Sequence, residues 1–540
     1  MATTINGTIG NDTINSAGSP VGLRTNPFSV AESIVAFGNS GFDRIYGSTN
    51  ADEIYGNTGD DTILGNGGSD KLYGGQGNDD IYVTGVAAST TEPALGVKAL
   101  AVGGQGQDEI YVGGYTESRE SGSGFGGVFT GSVTVFGGAE SNDVSDQGDL
   151  IVANLDVNSS ATIYGNGGND TIYADATNRS IAGDLTSKFY IHGGQGNDDI
   201  YGDVGTGSTV IGGLQTDYIS IDATNSVTIY GGNGTDSAQD GNDTIYADVY
   251  KDGFLTTDPT ASIYGNGGAD YISLYGENSD VKAGIFGGQG NDTIYAYGDY
   301  TDSSSGGDDV LVSDYWNYPT YGLASNSTVA GGLGTDYIDV RVNGQDVSIY
   351  GGNGTADPTD GADYVEVNLG DTASVQVFGN GGDDILYVYG SGSASVFGGA
   401  GNDTFYLYNQ NDVQGEFPQF VELTGGRDSD LFDIYAREDD TREIGAFVRI
   451  TDFDFDEDRI AGDTVDTLRS ASGTANNFDG IVNLAGGVGD GTAALVTVTS
   501  GNLAGSYLVY DNHGATQVVE ITGYTGSADA DVFVGSNYYS

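Results

Sequence analysis

The chain has 540 residues, with 77 acidic and 16 basic side chains, a formal net charge of −61, 93 glycines and no cysteine. A surface this acidic repels nucleic-acid phosphates and anionic lipid head groups, so we expect neither a nucleic-acid partner nor membrane insertion. Cations are the expected partners, and the lack of cysteine excludes disulfide bonds and thiolate metal sites.

The first residues predict the start of a repeat domain. The N-terminus lacks both the basic start and the apolar run of a cleavable export signal. A repeat-like unit, GTIGNDTIN, already begins at Gly7. We therefore assign residues 1–37 to the start of a solenoid and expect no catalytic domain ahead of it.

Residues 38–82 contain five consecutive nine-residue units in unbroken register. Each unit begins with Gly at place 1 and carries Asp at place 6 and Ile or Leu at place 8. The first half, rich in Gly, Asn and Asp, predicts a turn, and the alternating last three residues predict a short strand. The units read GNSGFDRIY, GSTNADEIY, GNTGDDTIL, GNGGSDKLY and GGQGNDDIY.

From residue 83 to residue 439 the same unit recurs at wider spacing, and two copies, at Gly231 and Gly351, are split by insertions. A second alternating segment precedes most copies, for example SVTVF at 132–136 and SVTIY at 226–230. This arrangement predicts an elongated parallel β-solenoid whose coils consist of strand, glycine turn, strand and a return loop of variable length.

The glycine turns offer the ligands that calcium prefers. Glycine permits the positive φ angles that aim backbone carbonyls inward, and Ca²⁺ takes six to eight oxygens at about 2.3 to 2.6 Å. A simpler interpretation is that Gly and Asp only mark turns, but the unbroken register favours a calcium site. The predicted metal ligands are the place-6 carboxylates of Asp12, Asp43, Asp52, Asp61, Asp70, Asp79, Asp108, Asp170, Asp198, Asp217, Asp243, Asp270, Asp292, Asp336, Asp363, Asp384, Asp403 and Asp430.

These units resemble the repeats-in-toxin (RTX, hemolysin-type) calcium-binding repeats over roughly residues 1–435. The resemblance implies an all-β, right-handed parallel β-roll or β-solenoid with several Ca²⁺ ions bound between neighbouring turns. The overall organisation is most similar to oscillin-like surface-fibril proteins of gliding filamentous cyanobacteria and to bacterial surface-layer (S-layer) proteins. That likeness implies self-assembly into a homo-oligomeric filament or two-dimensional array.

Residues 440–540 have two interpretations. The segments VRITDFDFDEDRIAGD and SYLVYDNHGATQVVEITGYTG resemble the C-terminal segment that follows such repeats in proteins exported by type I secretion. Export would then precede folding, because cytosolic calcium is low and extracellular calcium is in the millimolar range. The same residues can also form a β cap that covers the open edge of the solenoid, and both roles can coexist.

The sequence offers no recognisable catalytic centre, and we predict that the protein is not an enzyme. His192 and His513 are the two histidines, and neither an HExxH helix nor a GxSxG elbow is present. His192 follows an inward position and is expected to be a surface residue.

Aromatic side chains suggest two further contact surfaces. Tyrosines such as Tyr55, Tyr73 and Tyr111 favour place 9, where strand alternation puts them outside. They can pair across strands within one sheet or serve lateral association with other copies. The segment SDYWNYPTY, with Trp316, is either an interface anchor or a small local core.

The sequence therefore predicts a secreted, calcium-dependent structural protein of the cell surface that self-assembles into a fibril or S-layer associated with gliding motility. Two alternatives remain. One is an adhesin or extracellular-matrix component that binds cell-surface polysaccharide. The other is a polysaccharide-modifying enzyme with a site in the return loops.

Overall fold

The computed structural model describes most of the chain and divides it into two compact units, Met1–Glu277 and Asn278–Ser540. Trp316 with its segment and His513 lie outside the described residues. Those residues are 3–15, 32–84, 97–113, 128–139, 146–176, 187–234, 240–251, 258–277, 279–298, 322–354, 360–408, 420–435, 447–462, 464–489, 491–512 and 514–535.

The first unit is built from two parallel sheets, as the β-solenoid prediction requires. The chain alternates between them, so that odd-numbered strands form sheet A and even-numbered strands form sheet B. Within each sheet every strand pairs in parallel with the corresponding strand of the next coil. Strands β1 to β22 are Thr3–Asn6, Thr13–Asn15, Ile34–Ser40, Arg44–Tyr46, Glu53–Thr58, Thr62–Leu64, Lys71–Gln76, Asp80–Val83, Lys98–Gln105, Glu109–Val112, Ser132–Gly138, Leu150–Leu155, Ser160–Gly167, Thr171–Ala176, Lys188–Gln195, Asp199–Val204, Ser208–Leu214, Tyr218–Thr224, Ser226–Gly232, Thr244–Tyr250, Thr260–Gly267 and Tyr271–Glu277.

The place-8 side chains form the core of the first unit. Ile172, Ile200 and Ile219 stand opposite one another on neighbouring strands of sheet B and are fully buried. Burying each such side chain contributes roughly 1.5 to 3 kcal/mol. Because side chains of a strand alternate between its two faces, this inward position places the neighbouring place-7 and place-9 residues on the outer face.

The turns are shorter than the sequence predicts. The first half of each unit was expected to be a turn, but the strand Glu53–Thr58 of sheet A runs through the first three places of the following unit. The reason is that these residues pair with their counterparts in the next coil, as Asn57 does with Gly75. Both have a positive φ, 81° for Asn57 and 122° for Gly75. Gly and Asn tolerate this conformation better than other residues, which explains why place 2 is Asn in some units and Gly in others.

The second unit shows the same alternation of its strands between two parallel sheets. Its repeat strands pair in parallel, for example β26 with β28 and β29 with β31. Strands β23 to β36 are Lys282–Gln289, Thr293–Gly298, Thr328–Leu333, Tyr337–Val342, Val347–Gly352, Tyr364–Leu369, Ser374–Gly381, Ile385–Gly390, Ser393–Ala400, Thr404–Tyr408, Phe420–Arg427, Leu431–Tyr435, Phe447–Ile450 and Arg459–Gly462.

A C-terminal cap closes the repeat strands of the second unit, as predicted for a β cap. It comprises β37 (Thr467–Gly473), α1 (Phe478–Ala485), β38 (Thr492–Val498), β39 (Gly505–Asn512), β40 (Ala515–Ile521), a short 3₁₀ turn (Ala530–Val532) and β41 (Phe533–Gly535). Strand β40 pairs in parallel with β35, and β41 pairs in parallel with β36. The antiparallel pairs β38–β39 and β39–β40 complete the cap.

The helix α1 was not predicted from the sequence. Asn477 caps its N-terminus by accepting a hydrogen bond from the Gly480 N–H at 3.0 Å, and Gly486, with φ 76°, ends it. Ile481 and Ala485 bury the inner face of the helix against β38 and β39. Within the described ranges no helix has the length and apolar character that a membrane span requires.

The predicted aromatic ladders lie on the outer faces of the sheets. Tyr55 and Tyr73 stack with ring centroids 4.8 Å apart, and Tyr173 and Tyr201 stack at 5.2 Å. In the second unit Tyr337 stacks on Tyr364 at 4.8 Å. These contacts match the interpretation that the rings pair across strands within a sheet.

Candidate metal centre

The place-6 aspartates of successive coils stand in a column at the turn from sheet A to sheet B. In each step, carboxylate oxygen Oδ1 accepts a hydrogen bond from the backbone N–H of the Asp in the preceding coil. The Asp43 N–H donates to Asp61 at 2.8 Å, and the Asp61 N–H donates to Asp79 at 2.7 Å. The turn column of the first unit contains Asp12, Asp43, Asp61, Asp79, Asp108, Asp149, Asp170, Asp198, Asp217, Asp243 and Asp270.

The second unit has its own turn column with the same hydrogen bonds. The Asp292 N–H donates to Asp336 at 2.7 Å, and the Asp384 N–H donates to Asp403 at 3.0 Å. Its members are Asp292, Asp336, Asp363, Asp384, Asp403, Asp430 and Asp458.

Glycine leaves the space beside each carboxylate. A Cβ placed on Gly56, at place 1, would clash with Oδ2 of Asp61 and would lie 2.6 Å from the carbonyl oxygen of Gly74 in the next coil. Gly193 has the same relation to Asp198 and to the Gly212 carbonyl. The second carboxylate oxygen and a backbone carbonyl oxygen of the next coil therefore border one common space at these turns.

Most of these second oxygens are buried and have no hydrogen-bond partner. Asp79 and Asp384, for example, are 0% exposed. A buried carboxylate oxygen without a hydrogen-bond donor is strongly unfavourable, so the chemistry of each such atom fits a bound cation. The turn-column oxygens concerned are Oδ2 of Asp43, Asp61, Asp79, Asp108, Asp149, Asp170, Asp198, Asp217, Asp243, Asp336, Asp363, Asp384 and Asp403, and Oδ2 of Asp70 is in the same state.

Burial makes the ionised form of these carboxyls costly. It raises the pKa of Asp79 to about 8, although the Asp61 N–H lowers it in part. Burial raises the pKa of Asp170 to about 9, and the nearby charge of Asp198 raises it further. A divalent cation in the bordering space would reverse this preference, because it stabilises the carboxylate form directly.

The donor set fits calcium. Within the described ranges there is no group of three or more Asp, Glu, His or Cys side chains spaced to hold a metal by themselves. Backbone carbonyls must therefore supply the remaining ligands. An all-oxygen set of carboxylates and carbonyls suits a hard cation with high coordination number, and it suits Ca²⁺ better than Mg²⁺, which requires a strict octahedron.

Two predicted ligands lie on the opposite, return edge of the first unit. Oδ1 of Asp52 accepts the Ile34 N–H at 2.7 Å, and Oδ1 of Asp70 accepts the Asp52 N–H at 2.9 Å. Later on this edge, serine hydroxyls accept comparable bonds, as Ser208 does from the Phe189 N–H at 3.0 Å.

The structure thus brings the other sixteen predicted aspartates into the turn columns of their units. Sequence reasoning missed two members, Asp149 and Asp458. Asp149 belongs to a third split copy that begins at Gly137, and the signal was the Gly pair directly after the predicted strand SVTVF. Asp458 is fixed within FDFDED, where the Asp454 N–H donates to its Oδ2 at 2.7 Å.

His192 is partly buried on the outer face of sheet A. Its ring lies 6.2 Å from the Tyr164 ring, and burial lowers its pKa. It stands at the end of an aromatic ladder, with the Tyr164 ring on one side and Ile211 on the other.

Comparison with known proteins agrees with the geometry. A family model described as RTX calcium-binding nonapeptide repeat (4 copies) matches residues 37–72, 55–84, 162–181, 190–208, 285–299 and 388–413. No curated protein and no solved structure matches the chain. The chain therefore carries RTX calcium-binding repeats, and the matched residues occur in both compact units.

Proposed function

We propose that this protein is a calcium-dependent structural protein that folds outside the cell and assembles there into a fibril or surface layer. The observation that carries the proposal is the turn column, in which buried Oδ2 atoms border the carbonyl oxygens of the next coil. Carboxylates about 5 Å apart repel by roughly 3 kcal/mol at an effective dielectric near 20. Calcium between the turns replaces this repulsion with attraction.

The proposed ligands are the eighteen predicted place-6 carboxylates together with Asp149. Carbonyl oxygens of the place-1 glycines, such as Gly74 and Gly212, complete the coordination. Each ion links two coils, so ion binding and winding of the solenoid are one process. Low cytosolic calcium keeps the chain unfolded during type I export, and millimolar calcium outside folds it.

The outer faces support assembly. Stacked tyrosines and phenylalanines form half-buried ladders on regular sheets, and aromatic side chains are enriched where protein surfaces meet. A net charge of −61 would otherwise keep copies apart, so calcium also screens the repulsion between neighbours. These features suit a homo-oligomeric array, as in oscillin-like fibrils or S-layers.

The test compares the purified protein in EDTA, calcium and magnesium. Circular dichroism is expected to show β-sheet in calcium only, and electron microscopy is expected to show ordered arrays in calcium. A full β-sheet spectrum after exhaustive EDTA dialysis contradicts calcium-dependent folding. If the protein folds in calcium but light scattering shows a monomer, the result contradicts assembly and leaves calcium-dependent folding intact.

A glycan-binding adhesin is the second candidate, and one groove favours it. On sheet B of the first unit an open cavity of about 620 Å³ is bordered by aromatic rings and carboxylates. Tyrosine faces stack on sugar rings, and carboxylates accept hydrogen bonds from sugar hydroxyls. The polar and aromatic lining residues are Tyr111, Asn154, Tyr173, Asp175, Tyr201, Asp203, Ser220 and Asp222.

Binding to immobilised neutral polysaccharide tests this candidate. Tyr173 is 45% exposed, so Tyr173→Ala removes a stacking surface with little effect on the core. Binding by the calcium-folded protein that is lost in Tyr173→Ala would support the adhesin. The absence of binding by the unaltered protein would contradict it.

A further inference from the structure

Three turns of the described chain differ from all the others in the same way. In an ordinary turn the place-6 Asp follows the place-1 Gly by five positions, as Asp198 follows Gly193. In the three split turns, which begin at Gly137, Gly231 and Gly351, the distance is twelve positions. In each split turn a further Asp lies three positions before the place-6 Asp, where ordinary turns have residues such as Gln or Gly. These additional residues are Asp146, Asp240 and Asp360.

The structure folds each additional carboxylate back into the turn. Oδ1 of Asp146 accepts the Gln147 N–H at 3.0 Å and the Gly106 N–H of the preceding coil at 3.4 Å. Asp360 repeats both contacts, with the Gly361 N–H at 3.1 Å and the Gly334 N–H at 3.4 Å.

Asp240 makes a related pair of contacts. Its Oδ1 accepts the Gly241 N–H at 3.2 Å, and its Oδ2 accepts the Gly267 N–H of the following coil at 3.2 Å. Three insertions with different sequences therefore bring an aspartate to equivalent places, each in contact with a neighbouring coil.

The additional carboxylates lie beside the place-6 carboxylates of the same turns. A Cβ on Gly138 would clash with Oδ2 of Asp146, and a Cβ on the adjacent Gly137 would clash with Oδ2 of Asp149. The Gly pairs at 231 and 351 show the same arrangement. Oδ2 of Asp149, Asp243 and Asp363 is buried without a hydrogen-bond partner, and these residues are 3%, 1% and 2% exposed.

Electrostatics agree with this proximity. Burial raises the pKa of Asp149 to about 10, and the charges of Asp108, Asp170 and Asp146 contribute to the increase. Burial likewise raises the pKa of Asp363 to about 8, with contributions from Asp336 and Asp360. A split turn thus adds a carboxylate beside the place-6 carboxylate, at a position where ordinary turns have residues such as Gln or Gly.

We propose that Asp146, Asp240 and Asp360 each add a carboxylate to the calcium site of a split turn, so that these three sites bind calcium more tightly than the ordinary turns and fill first. The inference rests on the proposed calcium-dependent folding. Additional ligand charge raises calcium affinity. It also offsets the greater entropy cost of closing a longer turn.

The experiment titrates the full-length chain with calcium by isothermal calorimetry, starting from the EDTA-dialysed protein. The double variant Asp240→Asn/Asp360→Asn is compared with the control Asp60→Asn/Asp383→Asn. The control removes the same charge from one exposed turn residue in each unit, and Asn keeps the side-chain acceptor in every case. Asp146→Asn is tested singly.

The tightest class of sites is expected to lose two ions in the double variant and one in Asp146→Asn, or to weaken roughly tenfold at those sites. The control is expected to bind like the unaltered protein, and all variants are expected to fold at saturating calcium. If the double variant binds calcium in the same way as the control variant, the inference is overturned and the proposed function is not affected. A variant that stays unfolded at saturating calcium would also overturn it, because the carboxylate would then hold the turn without the ion. An unaltered protein that folds in EDTA would remove both the inference and the proposed function.

Discussion

The backbone N–H of Asp108 donates a hydrogen bond to Oδ1 of Asp149 at 2.7 Å, although 41 positions separate the two residues. Asp79 and Asp108, separated by 29 positions, make the same bond at 2.7 Å. The geometry of the turn column is therefore independent of how much chain each coil contains. A test at one ordinary coil can therefore represent the other ordinary coils of the column.

Removing one column carboxylate is expected to raise the calcium concentration needed for folding. In Asp198→Asn the amide keeps an oxygen for the Asp170 N–H but loses the charge of the buried Oδ2. Asp199→Asn is the matched control, because this neighbouring carboxylate is exposed on the outer face. Circular dichroism during calcium titration should show a higher midpoint for Asp198→Asn, by roughly tenfold at that site. Equal midpoints for the two variants would argue against Asp198 as a ligand.

A methyl group at place 1 is expected to block the same site sterically. In Gly193→Ala the new Cβ clashes with Oδ2 of Asp198 and with the Gly212 carbonyl. Gly284→Ala is the control, because its Cβ meets nothing nearer than the Phe286 ring at 3.4 Å. Calorimetry should show fewer bound ions for Gly193→Ala and an unchanged number for Gly284→Ala. An unaltered ion count in Gly193→Ala would exclude this space as the metal position.

The isoleucine core is expected to respond to cavity formation even when calcium is saturating. Ile200 is fully buried between Ile172 and Ile219. Ile200→Ala should lower the free energy of unfolding by about 2 to 5 kcal/mol, and Ile200→Val should lower it by about 0.5 to 1.5 kcal/mol. Chemical denaturation in excess calcium measures both. A negligible effect of Ile200→Ala would contradict a packed interior at this position.

The cap is held to the repeat strands by an ion pair across β35 and β40. Arg449 Nε lies 2.6 Å from Glu520, whose side chain is 9% exposed, and Nη1 lies 3.3 Å from Glu422. Arg449→Met leaves the buried Glu520 carboxylate without its cation, and we expect a loss of about 1 to 2 kcal/mol after allowing for partial exposure of the pair. The double variant Arg449→Met/Glu520→Gln should recover part of that loss in thermal unfolding. Recovery would be absent if the two side chains did not interact.

The sequence predicted the repeat architecture because its two signals are local. Place-8 isoleucines such as Ile63 and Ile81 report inward positions, and place-6 aspartates report turns. The register of five adjacent units then fixes the parallel pairing, since each unit must bury the same face against its neighbour.

The features that the sequence did not predict depend on contacts between residues far apart in the chain. Asp149 was missed because seven additional residues separate it from its Gly pair, so the spacing rule no longer identified it. The helix α1 was missed because its apolar face is defined by β38 and β39, which follow it in the chain. The extension of sheet A strands through Asn57 arises from pairing with Gly75, and no single unit contains that information.

The two edges of the solenoid differ in their tolerance of new sequence. At the turn column the ordinary coils present the same short backbone path, but the return edge joins strands through connections that range from the single residue between Thr224 and Ser226 to the 29 positions between Gly298 and Thr328. Foreign peptides could therefore be inserted into the return edge, as epitopes or enzyme tags, without disturbing the turn column. Removing calcium with a chelator would unfold such a scaffold together with the ordered presentation of the grafted peptides.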